Sequence, residues 1–270
     1  MTTKSEPGTV HELLRALGLH VLVDQFDDVI ALATKHRWSA AQVLEHVARL
    51  ELDARAKHSL ERRLRHAKIG RFKPMADFEW DWPTKLSREA VEAVLRLGFL
   101  ADASNVVLVA PQGLGNTMIA QNIAHAAVLA GHRARFISTA DLLLDLASQD
   151  SARQLDLRLK YWASIPLLVL DEIGYLSYDA RNADLLFQVV SRRYERRSLV
   201  LTTNLAFKDW PTIFPNSACT TALIDRVVHH ASVIDIKGKS YRLREAMADA
   251  DEAAPAEKAP RGKGKGRKRR

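Results

Sequence analysis

Residues Ala110-Pro111-Gln112-Gly113-Leu114-Gly115-Asn116-Thr117 have the spacing of a phosphate-cradling loop, with asparagine where such a loop carries lysine. The pattern asks for glycine, four free positions, then glycine, lysine and a hydroxyl residue. Backbone N–H groups wrap the phosphates, lysine neutralises them, and the hydroxyl holds magnesium. Here Ala110 replaces the first glycine and Asn116 the lysine. Asparagine donates hydrogen bonds but carries no charge. A charge-assisted hydrogen bond is worth about 1.5–3 kcal/mol, so its loss predicts a phosphate grip about ten- to hundred-fold weaker. Three readings stay open: a degenerate site in a binding protein, a substitution that blocks hydrolysis, or an enzyme with residual activity. Ala110 is the milder change, one methyl that disfavours positive φ. Gly113, Gly115 and Thr117 would also suit a plain surface turn.

A second cluster follows. Pro166-Leu167-Leu168-Val169-Leu170-Asp171-Glu172 is an apolar run that ends in two carboxylates. Apolar residues on both faces suit a mid-sheet strand, whose C-terminal edge is where open α/β sheets bind ligands. Asp171, with Thr117, would orient magnesium, and Glu172 would polarise an attacking water. The same pair could instead complement a helix dipole. Ser198-Leu199-Val200-Leu201-Thr202-Thr203-Asn204 is a third run whose polar end could reach a terminal phosphate or its water, or simply enter a turn. Arg226 lies on a helical stretch beyond it, and Arg242 and Arg244 follow.

These residues need a scaffold. The run Asn105-Val106-Val107-Leu108-Val109 predicts a buried strand before the loop, and residues 118–124 a helix after it. Further expectations are a strand at Arg133–Ile137, helices at 141–147 and 185–196, and a last strand at Val233–Ile236. This alternation implies a parallel sheet with helices on both faces, an α/β fold. Ahead of it, Thr9 with Glu12 and Ser39 with Gln42 fit capping boxes. Leu13, Leu14, Leu17, Phe26, Ile30, Val43, Leu44, Val47, Leu50 and Leu64 recur at helical spacing, which predicts a small helical bundle from about Val10 to Lys68. The expected division is a helical domain over 1–73, a linker over 74–86 bearing Phe78, Trp80 and Trp82, a nucleotide domain over 87–248 opened by a helix capped at Ser87, and a disordered basic tail over 249–270.

The blocks Leu168–Tyr175, Leu201–Leu205, Asp225–His230 and Lys237–Arg242, in this order after the loop, resemble the IstB-like ATP-binding proteins that assist transposition. These are related to the DnaC-type helicase loaders within the AAA+ ATPases. The resemblance runs from about Val10 to Glu245 and implies a P-loop fold that binds ATP and Mg2+. The nucleotide would sit on Pro111, Gln112, Gly113, Leu114, Gly115, Asn116, Thr117 and Met118. It further implies that Asn204 is a sensor, Arg226 an arginine finger given to a neighbouring subunit of a homo-oligomer, and Arg242 a second phosphate-proximal arginine, with Arg244 competing for that role. The partners implied are double-stranded DNA and a transposase. Two alternatives remain: a non-hydrolysing DNA-binding scaffold with a degenerate nucleotide site, and a helicase loader.

Composition bounds the rest. The 270 residues, 47% of them hydrophobic, suffice for a full core. No apolar run reaches the eighteen or so residues of a membrane span and the start lacks a secretory stretch, so the expectation is a cytoplasmic protein away from membranes. One cysteine, Cys219, excludes an internal disulfide. The net charge of +8 sits in Lys258–Arg270, which holds eight basic residues and no acid; the remaining 32 basic residues balance the 32 acidic ones. Such a tail binds polyanions without sequence preference, or merely adds solubility. Candidate DNA contacts are therefore Lys263, Lys265, Arg267 and Lys268 in the tail, and Arg62, Arg63, Arg65, Lys68, Arg71 and Lys73 where the bundle's last helix continues. A solvated helix face would explain the second group equally well.

Overall fold

The computed structural model describes residues 9–175, 177–215, 217–241 and 244. Arg242 and the whole expected tail, with Lys263, Lys265, Arg267 and Lys268, lie outside the described residues. Four helices open the chain: α1 (Val10–Ala16), α2 (His20–Asp24), α3 (Phe26–His36) and α4 (Ala40–Ala67). Their capping signals act as expected. Thr9 N–H donates to Glu12 Oε2 at 2.8 Å. Ser39 N–H donates to Gln42 Oε1 at 2.8 Å, and Gln42 N–H returns a bond to Ser39 Oγ at 3.3 Å. Each bond satisfies an amide near a helix start.

The apolar periodicity overstates how closed this bundle is. Leu13, Leu17, Ile30, Leu44 and Leu64 are exposed, and the buried apolar residues of α1 to α3 are Leu22, Val23 and Val29. Three short helices beside one long one cannot enclose every apolar stripe. A buried acid adds a specific tie, since Glu51 of α4 accepts the Leu22 N–H at 2.9 Å.

Helix α4, at 28 residues, is about 42 Å long and carries on past the bundle to lie on the sheet. Arg63 Nε donates to Val128 O at 3.2 Å, and Arg135 Nη1 to His66 O at 2.9 Å. The arm that follows packs inward too, with Ile69 and Phe78 buried in the same core as Val91, Val106 and Ile119.

The sheet holds β1 (Asn105–Val109), β2 (Ala134–Ser138), β3 (Leu167–Ile173), β4 (Ser198–Thr203) and β5 (Ala231–Asp235), in the order β2-β3-β4-β1-β5, all parallel. The remaining helices are α5 (Arg88–Leu95), α6 (Asn116–Leu129), α7 (Thr139–Ala147), α8 (Ala152–Ser164), α9 (Ala180–Arg193) and α10 (Ser217–Val228). Side chains alternate across each strand and divide the core in two. Val106, Leu108 and Val200 face α5, α6 and the arm, while Val107, Leu168, Leu170, Leu199 and Leu201 face α7 to α10. The expected α/β sandwich, with helices on both faces, is what forms.

Several element bounds differ from the sequence reading, three of them with a clear local cause. Helix α8 was not expected; Ser151 Oγ starts it by accepting the Gln154 N–H at 3.2 Å. Helix α9 begins at Ala180 rather than 185, because Asp179 caps it through the Asn182 N–H at 2.7 Å. It stops at Arg193, short of Glu195 at φ 55°. Strand β5 starts at Ala231, where β1 offers Asn105 as a partner, two residues before the expected Val233.

Candidate nucleotide site

Strand β1, the loop and α6 follow one another as the motif requires. Gly113 and Gly115 take φ 79° and 91°, a region open to glycine at little cost. A methyl at Gly115 would also strike the Phe78 ring, and one at Gly113 would strike Ser240. Ala110 is not among the residues at positive φ; it is buried and its N–H donates to Thr203 O at 2.9 Å, continuing the β1–β4 ladder. Replacement of the first glycine therefore brings no backbone strain. The helix's own bonding starts with Ile119 N–H to Gly115 O at 2.9 Å. The preceding N–H groups of Asn116, Thr117 and Met118 stand at the positive end of α6, where anions bind.

The two candidate metal-holding residues meet. Thr117 Oγ1 donates to Asp171 Oδ1 at 3.2 Å. Asp171 is buried, and Thr202 Oγ1 donates to the same carboxylate oxygen at 2.5 Å. Thr202 in turn accepts the Glu172 N–H at 2.8 Å, and Thr139 Oγ1 donates to Asp171 O at 2.9 Å. Thr202 fixes the carboxylate's orientation and Thr139 anchors the Asp171 backbone; the sequence reading missed both. Their signal was present for Thr202, which lies in the polar end of the third strand.

Glu172 has φ 63°, unusual for a residue with a side chain. The β3–β4 register breaks between Leu170 and Ile173, so Glu172 leaves the ladder and its exposed side chain turns into a cleft of about 270 Å3. That cleft also holds Gln112, Gly113, Asn116, Thr117 and Asn204. Asn204 Oδ1 is buried with no hydrogen-bond partner among the described residues, a polar atom left for something that enters the cleft. A larger cavity of about 480 Å3 shares Gly113, Asn116 and Thr117 with this cleft and is also lined by Met118, Gln121, Phe78, Trp82 and Tyr241.

Arg226 is not in this group. Asn105, at the opposite end of β1 from the loop, donates Nδ2 to Val227 O at 3.0 Å and to Arg226 O at 3.4 Å. The Arg226 guanidinium stacks on Phe187 at 4.5 Å, with Nη1 buried and unpartnered among the described residues. Of the other candidates, Arg244 pairs with Glu79 at 2.7 Å and stacks on Trp82 at 4.6 Å. Tyr241 also donates to Glu79, at 2.8 Å. That bond first, and Arg244 second, hold the Glu79 carboxyl below its ordinary range. Arg62, Arg65 and Lys68 are exposed near the end of α4, whereas Arg63 is half-buried and spent on Val128 and Ser59. Arg71 and Lys73 are exposed and line the larger cavity.

The profile of the IstB-like ATP binding protein family matches residues 12–249. The chain belongs to that family. A chain from Pseudomonas aeruginosa, named as an ATP-binding protein of insertion sequence IS21, is 32% identical over 239 residues, covering 87% of this chain and 90% of that one. The ATP-binding protein named for insertion sequence IS232 in Bacillus thuringiensis subsp. berliner is 32% identical over 232 residues, covering 86% and 93%. Among solved structures, the DnaC helicase loader is similar at TM-score 0.47 and 19% identity, covering 63% of this chain and 97% of that one. Among the described residues of this IstB-like protein no helix is long and apolar enough to cross a membrane.

Proposed function

We propose that this chain is an ATP- and Mg2+-binding AAA+ protein of the cytoplasm that assists transposition by engaging double-stranded DNA and a transposase as a homo-oligomer. The observation that carries the reading is the Thr117–Asp171–Thr202 chain of hydrogen bonds beside a cleft that holds Glu172 and an unpartnered Asn204. The residues suit the group they would hold. Loop and helix-start N–H groups from Gln112 to Met118 would face the phosphates, and Thr117 and Asp171 would hold the metal, which supplies charge neutralisation when bound. Glu172 would orient and deprotonate water, and Asn204 would report on the terminal phosphate. Arg226 would serve a neighbouring copy, and Arg242 would meet the phosphates within the chain.

Asn116 favours a second reading, a nucleotide-gated scaffold that binds without turning over, because transition-state charge would find no lysine. In both readings Arg62, Arg65 and Lys68, with the tail, contact DNA phosphates. Titration with ATP, with and without Mg2+, tests the shared part. Thr117→Val and Asp171→Asn should each remove most of the gain in affinity that Mg2+ provides. Affinity indifferent to Mg2+ in the unaltered chain would sink the reading.

A further inference from the structure

The charge that Asn116 lacks has a counterpart in the lining of the larger cavity. Arg71 and Lys73 line that cavity together with Asn116 and Thr117. Helix α6 itself holds them there. Gln121 Nε2 donates to Ile69 O at 3.0 Å, Asn122 Nδ2 donates to Lys73 O at 3.0 Å, and Met75 N–H donates to Asn122 Oδ1 at 3.1 Å. Asn122 is buried and bonded at both ends of its amide, so it fixes the register of the arm on the loop's own helix. From the other side, Tyr241 N–H donates to Gly113 O at 2.8 Å, and Lys73 Nζ lies 5.9 Å from the Tyr241 ring centroid. The arm cation and the loop are thus tied to the same two elements. Two acids, Asp77 and Glu79, share the cavity; Glu79 accepts from Tyr241 and Arg244, and the Lys73 charge also acts on it.

We propose that Lys73, with Arg71 beside it, supplies from the arm the phosphate-binding charge that the loop lacks at Asn116, so that this chain holds nucleoside di- and triphosphates through a relocated cation. The proposal rests on the nucleotide reading above. Lysine is a point charge on a flexible four-carbon stem, suited to meeting a phosphate from a neighbouring element. The backbone donors of the loop are retained, so a single cation is the missing part. An arm residue stands apart from the cleft of Glu172 and Asn204, and its contribution is to binding.

The test is equilibrium titration of the full chain with ADP, ATP and adenosine, for Lys73→Ala and Lys73→Arg, each with Asn116 and with Asn116→Lys. Lys73→Ala should weaken ADP binding about ten- to hundred-fold. Lys73→Arg should restore much of it, adenosine binding should stay unchanged, and the loss should shrink markedly once Asn116→Lys returns charge to the loop. Unchanged ADP affinity overturns the proposal. So does an equal loss for adenosine, which would mean that the arm only shapes the cavity, or an equal loss on both backgrounds. Binding by Asn116→Lys alone overturns this proposal and leaves the nucleotide reading standing; binding by neither chain overturns both.

Discussion

Asn105 donates its side-chain amide to Val227 O at 3.0 Å, one residue beyond Arg226, while the phosphate loop leaves the other end of the strand that Asn105 begins. Five residues of parallel strand span about 16 Å. Arg226 is therefore held at the far edge of the sheet from its own loop, and its expected role is at a neighbour's site. On an Asn116→Lys background, Arg226→Ala should lower ATP turnover about 10³-fold, the scale of an arginine finger. Mixing Arg226→Ala with Glu172→Ala subunits should recover part of the activity, measured by phosphate release. Failure of every mixing ratio to recover any would remove the assignment.

Asn116→Lys alone should raise turnover at least about tenfold, the worth of one charged phosphate contact. The other parts are in place, with Thr117 on Asp171 and Glu172 turned into the cleft. An unaltered rate in a folded Asn116→Lys chain would show that the defect lies elsewhere.

Asp145 links α7 to α8. Its carboxylate accepts from Arg158 Nε at 2.6 Å and Nη2 at 2.8 Å, and from Trp162 Nε1 at 2.7 Å. Burial pushes its pKa up, but the bonds from Arg158 and Trp162 and the charges of Arg158 and Arg135 outweigh this and leave it below 3.8. A carboxylate with a depressed folded pKa contributes stability above its unfolded pKa and loses it as pH falls through the folded one. Asp145→Asn should cost about 1–2 kcal/mol at pH 7. The difference from the unaltered chain should shrink in acid and disappear once pH falls below the folded value, when unfolding is followed in urea at several pH values. A pH-independent cost would mean that shape, and not charge, matters there.

Deleting residues 258–270 should weaken binding to unrelated duplexes equally and flatten the dependence on salt, since each neutralised phosphate releases a counterion. Replacing Arg62, Arg65 and Lys68 by Ala in the full chain separates the helix from the tail. If the truncated chain kept both its affinity and its salt slope, the helix would be the DNA-binding element.

Much of the candidate site's geometry was legible along the chain because its parts are local. A strand, two glycines and a hydroxyl form a loop within eight residues, and capping pairs three residues apart close on themselves at Thr9 and Ser39. Asp171 and Glu172 stood out because two carboxylates end an apolar run. What surrounds them depends on pairing between distant segments. Thr202 reaches Asp171 only because β3 and β4 lie side by side in parallel, with Val169 opposite Val200, and Glu172 turns outward only where that register breaks. Periodicity likewise shows which helix face is apolar but not whether anything covers it, and Leu13, Leu17 and Leu44 remain exposed. Lys73 is the clearest case: in the chain it is one charge in a basic stretch, and the amide of Asn122, 49 residues away, sets it beside the loop. Sequence spacing encodes geometry only within an element; contacts between elements come from how the sheet order and the two core layers stack, which no local pattern specifies.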